Sequence, residues 1–245
     1  WMGTATVGAQ YQAEEERSSS LTRTYATSPA EVSPVVTPGS DDHRITRGYY
    51  VSLQGSPVER LAYDVSARRD DHSDFHDVTT YHAGASVALW GGARARASYG
   101  TGFNAPAFYE TQGSVYNAPN SALQPEQSHT LDVGLVQSLL NDRIRATVGA
   151  FDQRFSDMIQ FVSGATGGPP DYLQLTPSYY TNLTQARSKG FEGEVNAAFP
   201  FGLTGAASES HSSAHVYSVP PGYTGMQPGT ALLRRPSHSG TASLY

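Results

Sequence analysis

The feature that most limits what this chain can become is a change of side-chain character at every second residue, repeated along most of its length. Residues 93–99 set Ala93, Ala95, Ala97 and Tyr99 against Arg94, Arg96 and Ser98. Successive residues of a β-strand point to opposite faces, so this spacing makes a strand with a thin apolar face and a charged one. The period returns with Ala5, Val7, Ala9 and Tyr11 against Thr4, Thr6, Gly8 and Gln10, and with Tyr49, Val51 and Leu53 against Tyr50, Ser52 and Gln54. It continues through Leu61–Ala67, Ala83–Leu89, Leu131–Leu135, Ile144–Ala150 and Phe191–Ala197, and more weakly through 203–215 and 237–245. Helical periodicity is almost absent. The count is roughly ten strands, each of a length that spans a bilayer.

The connections alternate too. Short ones fall at 55–59, 90–92, 139–142 and 200–202, and long ones at about 16–43, 71–77, 102–128, 156–186 and 216–235. If consecutive strands pair as an up-and-down meander, every short turn lies at one end and every long loop at the other. Membrane barrels are built this way, whereas Greek-key sandwiches do not sort their loops so cleanly. The faces favour the same answer. A soluble sandwich fills its core with large interlocking side chains, but here the apolar face is mostly Ala, Val and Gly and the polar face carries arginines and glutamates in mid-strand. A wall between lipid and a wet lumen accepts both. Trp1, Tyr49, Trp90, Tyr99, Phe199 and Phe201 fall at strand ends, where interfacial aromatic girdles sit.

Composition excludes more than it selects. The net charge of −6 over 245 residues argues against a nucleic-acid partner, and the absence of cysteine rules out disulfides and thiolate metal sites. No apolar run is long enough for a transmembrane helix, which leaves a β-barrel open. With 38% apolar residues and a mean hydropathy of −0.42, barrel and soluble protein remain equally compatible. The chain opens and stops inside strand-like patterns, so it reads as 1–245 of a barrel domain cut at both ends.

Several pieces resemble the middle of TonB-dependent outer-membrane receptors. They are "ASYGTGFNAPAFYE", "LQPEQSHTLDVGL", "DRIRATVGAFDQRFSDMIQF", "YYTNLTQARSKGFEGEVNAAF" and "LLRRPSHSGTASLY". The resemblance covers residues 44–245 and is nearest to the cobalamin and ferric-siderophore receptors. It implies an all-β antiparallel transmembrane barrel of the twenty-two-strand type, of which this chain would be about ten strands without the plug. It implies active uptake of a scarce nutrient at the outer membrane of a Gram-negative bacterium, by a monomer with no cofactor. The expected partners are outer-membrane lipid, TonB acting through the missing plug region, and a small iron chelate or corrin. A passive porin and, less favoured, a soluble β-sandwich binding module are the alternatives.

Candidate site residues follow from placement. Phe103, Phe108, Tyr109, Tyr116, Tyr172, Tyr179 and Tyr180 lie on the long-loop side and could stack on a flat ligand. Arg94, Arg96, Arg143 and Arg145, with Glu192 and Glu194, are expected to face the lumen and to pair with each other or with the plug. Asp70, Asp71, Asp74 and Asp77, beside His72 and His76, are a calcium candidate by donor type, without the spacing of an EF-hand loop. His211 and His215 among Ser208, Ser210, Ser212 and Ser213 offer nucleophile and base but no orienting acid, so an enzyme is not expected.

Overall fold

Ten strands form one antiparallel sheet in strict chain order. They are β1 (Met2–Thr22), β2 (Val35–Val58), β3 (Leu61–His72), β4 (Val78–Ala88), β5 (Ala93–Asn104), β6 (Glu126–Leu139), β7 (Ile144–Val162), β8 (Tyr179–Ala198), β9 (Thr204–Ser218) and β10 (His238–Leu244), with one helical turn, α1 (Phe108–Thr111). The computed structural model describes residues 2–22, 35–113, 117–162, 178–219, 225–232 and 234–245.

The register converts the sequence alternation into two continuous faces. Leu53 lies opposite Val65, Val65 opposite Ala83, Ala83 opposite Tyr99, and Tyr99 opposite Leu131. This row belongs to the outward, apolar face. Its neighbours one residue away, Gln54, Asp64, Gly84, Ser98 and Asp132, pair across the same strands and line the concave side. The sheet is a single layer with little core. The chain exposes 16902 Å², whereas a compact chain of 26.2 kDa would expose roughly 10,600 Å². Val7, Val51, Tyr81, Val133, Val148 and Phe191 are all exposed on the outward face. In water such a band would drive aggregation; against lipid tails it is the stable arrangement. A two-layer sandwich is excluded.

The band approaches the height of a membrane. Along β4, seven residue steps from Tyr81 at the upper edge to Ala88 at the short-turn end cover about 23 Å of strand. A tilt of about 40° reduces this to roughly 18 Å, and the exposed aromatics at each edge extend it toward the ~25 Å apolar belt of outer-membrane barrels. Trp90, Phe199 and Phe201 are exposed at the lower edge, and Tyr49, Tyr81, Tyr99 and Phe191 mark the upper one. Trp1 lies outside the described residues.

The loop sorting holds, with different boundaries. The short connections are 59–60, 89–92, 140–143 and 199–203, all at one end; the long ones, at the other, are 23–34, 73–77, 105–125, 163–178 and 219–237. The expected loop at 16–43 is corrected most: strand extends through Thr22 and resumes at Val35. Its Ser, Pro and charged residues read as loop, yet a hairpin beyond the bilayer has water on both faces and needs no apolar alternation. Pro38 pairs with Ser19 just past the register shift between Arg17 and Ser19, at a level where β2 has no partner on its β3 side, so β2 is an edge strand there and tolerates a residue without an N–H. At 19–24 residues, β1, β2, β7 and β8 exceed the 9–11 needed to span, so they project roughly 30 Å beyond the bilayer. Arg143 sits in the 140–143 turn and not in mid-strand as expected.

The β4–β5 turn depends on two left-handed glycines, Gly91 (φ 51°) and Gly92 (φ 83°). A Cβ on Gly92 would also lie 2.7 Å from the Ser138 carbonyl oxygen on β6. Gly92→Ala in the full-length protein is therefore expected to lower stability by about 1–3 kcal/mol, measured by urea unfolding in lipid vesicles.

Candidate functional site

The long-connection end of the concave face is organised by arginines. In β3 the run Arg68-Arg69-Asp70-Asp71 gives each face one arginine and one aspartate two residues apart. On the concave face Arg68 Nε donates to Asp70 Oδ2 at 2.7 Å and Nη2 to Oδ1 at 2.6 Å, while Nη2 also reaches Gln10 at 3.1 Å. Gly48 makes room for this pair, since a Cβ there would stand 2.2 Å from Arg68 Nη2. On the outward face Arg69 pairs with Asp71 at 3.2 Å and with Asp77.

Arg44, on β2, is 5% exposed and ties three segments together. Its Nε donates to Asp74 at 2.9 Å and its Nη2 to the Pro106 carbonyl at 2.8 Å; Glu14 lies 3.8 Å away. The guanidinium sits 4.6 Å from the Phe108 ring centroid and 5.4 Å from that of Phe75. His72 packs on Phe75 at 4.1 Å and against Phe103 at 5.4 Å, and its Nδ1 contacts Thr46 at 2.9 Å. Arg44, Arg68, Asp70, His72 and Phe103 border a cavity of about 380 Å³ that opens to the concave side.

A second aromatic group lies on α1 and β8. Tyr109 meets Tyr180 edge to face at 5.6 Å, and Phe161 meets Tyr180 at 5.2 Å. Tyr109 is 51% exposed, and the neighbouring Glu110 carboxylate raises its hydroxyl pKa above the ordinary tyrosine value. The 105–125 connection that carries this turn is fastened to β7 and β8. Asn182 Nδ2 donates to the Gln124 carbonyl at 2.8 Å and to that of Asp157, while its Oδ1 accepts from Gln124 N at 2.8 Å. Asn120 Nδ2 donates to the Tyr180 carbonyl, and Glu126 accepts from Ile159 N, both at 2.8 Å. Leu123, Pro106 and Pro125 are buried beneath.

The expected aromatics thus separate into Phe103 and Phe108 around Arg44, and Tyr109 and Tyr180 around Phe161, joined through consecutive residues of α1. Tyr179 lies at the start of β8, half a strand pitch from Tyr180, and bridges to Ala118. Tyr116 and Tyr172 lie outside the described residues. Arg44, Phe75, Phe161, Asn120 and Asn182 were not singled out by sequence. Alternation with Thr46, Gly48 and Tyr50 does place Arg44 on the concave face, but nothing local reveals its two loop partners.

Below the rim, the concave wall forms a trough of about 1360 Å³ containing Asp64, His82, Arg96, Ser98 and Asp132. His82 Nε2 and Asp64 Oδ2 are 2.6 Å apart, and Arg94 donates to Ser86 at 3.1 Å. The expected pairing of the wall charges with one another does not form: no ion pair among the described residues joins Arg94, Arg96, Arg143 or Arg145 to Glu192 or Glu194. Glu194 instead accepts from Asn196. The aspartates proposed for calcium do not converge on a common point, because each faces an arginine: Asp70 with Arg68, Asp71 and Asp77 with Arg69, Asp74 with Arg44. Ser213 contacts His215 at 3.1 Å, with no carboxylate hydrogen-bonded to that histidine among the described residues, while Ser208, Ser210 and Ser212 point to the opposite face.

Comparison with known proteins gives a consistent picture. Residues 1–245 match the family described as TonB dependent receptor-like, beta-barrel. The vitamin B12 transporter BtuB of Vibrio vulnificus is 31% identical over 140 residues, which is 57% of this chain and 21% of that protein. The siderophore receptor PirA of Pseudomonas aeruginosa superposes with a TM-score of 0.67 at 18% identity, over 86% of this chain and 37% of that one. The ferric enterobactin receptor PfeA of the same organism, as a mutant in complex with enterobactin, gives 0.70 at 18% identity over 86% and 33%. The RagAB peptide transporter gives 0.70 at 17% identity over 90% and 29%. The chain therefore spans about a fifth of the curated relative and about a third of these solved chains.

The rim clasp has a measurable consequence. Arg44→Ala leaves Asp74 and the Pro106 carbonyl without their shared donor, and is expected to cost about 1.5–3 kcal/mol of local stability. Hydrogen exchange of the full-length protein should show faster exchange confined to segments 73–77 and 105–112.

Proposed function

Because the chain belongs along its whole length to the TonB-dependent receptor β-barrel family, we propose that it forms part of the wall of an outer-membrane receptor that takes up a scarce nutrient, either a ferric siderophore or cobalamin. The observation that carries this reading is the combination of an aromatic rim, Tyr109, Tyr180 and Phe161, with a concave wall on which Arg94, Arg96, Arg145, Glu192 and Glu194 form no ion pair among the described residues. Exposed aromatic faces at the long-connection end suit a flat corrin or catecholate ligand. Arg94, Arg96, Arg145, Glu192 and Glu194 suit a wet lumen that a plug domain fills with complementary charges. Calcium binding at Asp70–Asp77 is not part of the proposal, since arginines already occupy those carboxylates.

The sheet has unpaired edges at β1 and β10, and a lipid-facing sheet cannot leave an edge open. In this proposal further strands close the wall to the twenty-two-strand type, making 1–245 a partial barrel domain. A plug links the lumen to TonB, and the protein works as a monomer in the outer membrane of a Gram-negative bacterium. BtuB brings the cobalamin class into the proposal through sequence similarity, and the siderophore receptors bring in the other through a shared fold.

Deleting the whole gene and measuring uptake of labelled cobalamin and of several ferric siderophores tests the reading. One of these uptakes should be lost, and in the parent strain it should stop when a protonophore collapses the proton-motive force. Uptake that continues in de-energised cells would instead identify a passive porin. In the full-length receptor, Tyr109→Ala combined with Tyr180→Ala should weaken binding of that ligand about tenfold, measured by equilibrium titration.

A further inference from the structure

The outward face carries a cluster that uptake through the lumen does not use. On β5–β8 the outward apolar run ends at Tyr99, Leu131, Ala150 and Phe191. The next outward positions are His129 on β6, Asp152 and Arg154 on β7, and Lys189 and Arg187 on β8, matched by register. Arg187 grips Asp152 with two parallel bonds, Nε to Oδ1 at 2.8 Å and Nη2 to Oδ2 at 2.6 Å. Arg154 Nη2 lies 3.5 Å from the same Oδ2. Tyr99 Oη and His129 Nδ1 are 3.0 Å apart at the boundary of the band. A cavity of about 300 Å³ opens here on the outer side of the wall, bordered by His129, Arg154, Ser156, Gln185, Arg187 and Tyr217.

Three features define what this cavity can hold. Three permanent cations, Arg154, Arg187 and Lys189, face one carboxylate, Asp152, so the cluster prefers an anion. The side chains of Arg154 and Arg187 are 66% and 38% exposed, which leaves donors free after Asp152 is satisfied. The cluster also stands directly above the lipid-facing band, on the side of the wall opposite the lumen, where the neighbouring anions are lipid headgroups. Guanidinium groups bind phosphate through paired N–H donors, and cationic pockets at headgroup depth recognise anionic lipids. We propose that this outer pocket binds the phosphate of an anionic lipid in the surrounding leaflet. Arg154 and Arg187 hold the phosphate, Lys189 adds charge nearby, and the outward surface from Leu131 to Phe191 receives the acyl chains.

The test uses the full-length protein in non-ionic detergent, titrated with phosphatidic acid, with diacylglycerol of the same chains, and with inorganic phosphate. Native mass spectrometry counts retained lipid, and the melting temperature reports stabilisation. Phosphatidic acid should be retained and raise the melting temperature, and the other two should do neither. Arg154→Gln with Arg187→Gln should weaken retention roughly tenfold or more. Asp152→Asn removes the carboxylate that competes for both guanidiniums and should tighten retention severalfold. Arg60→Gln, which removes one charge at the short-turn rim, should leave retention unchanged. Equal stabilisation by inorganic phosphate would reveal a free-anion site and overturn the lipid assignment. Unchanged or weaker retention in Asp152→Asn would make the triad a structural clasp only. A loss in Arg60→Gln matching the double variant would show unspecific charge attraction and overturn the site.

Discussion

The interaction on which everything else depends is the unbroken backbone ladder from β1 to β10. A strand in a bilayer has no water to satisfy its N–H and C=O groups, so both neighbours must do so along the whole apolar span. That requirement forces each strand to pair with the next in sequence and keeps the register continuous from Val51 to Val133. Once the register is fixed, side-chain placement follows by parity, and a one-residue slip anywhere would move arginines such as Arg96 into lipid. The few irregularities respect this constraint. The shifts at Arg17/Ser19, Phe155/Met158, Met158/Ile159 and Gln185/Ala186 lie toward the long-connection end, and the one at Gly55/Val58 lies beside the β2–β3 turn, so the middle of each strand is left in register.

Above the band the physics changes, because water and loops replace lipid. The sequence pieces that carried the family resemblance act there mainly as framework. Leu123 and Pro125 are buried under the 105–125 connection, and Glu126 accepts a hydrogen bond from the β7 bulge. Pro106 presents its carbonyl to Arg44, while Glu110 accepts from Ala107 N to start α1. Asn182 braces the same connection and Arg187 grips Asp152. Ligand-facing chemistry is left to exposed residues between these anchors, such as Tyr109.

This division explains what was legible from sequence. Within the bilayer each strand has one lipid-facing side, so alternation is obligatory and the strands, their order and the sorting of turns could all be read. Alternation fails where its cause is absent. The upper halves of β1 and β2 have water on both sides, and their Glu, Ser and Asp residues read as loop. Toward β9 and β10 the outward face carries Glu209, His211 and His238, with the two imidazoles 3.1 Å apart, and the pattern weakens accordingly. Parity could place Arg44 on the concave face. It could not reveal that Asp74 and Pro106, 30 and 62 residues away, converge on it, because loop closure leaves no periodic trace.

The acidic stretch shows how strand geometry settles a question that composition leaves open. Four aspartates between 70 and 77 look like a cation site when counted along the chain. In a strand, however, residues two apart share a face, so the order Arg-Arg-Asp-Asp makes two same-face ion pairs on opposite sides of one wall. The inward pair, with Asp70 1% exposed, is shielded from water and holds its geometry through three short contacts. The outward pair is solvated, and Arg69 turns partly to Asp77. Exchanging residues 69 and 70 would put two arginines on one face and two aspartates on the other, and only the aspartate face would then call for a cation. The same rule governs Asp152 and Arg154 on β7, but there Arg187 enters from the next strand and tips the balance toward positive charge. The sign of each rim cluster is thus set by how many arginines the register delivers to one face, which is why the concave rim is neutralised and the outward one is left with cations to spare.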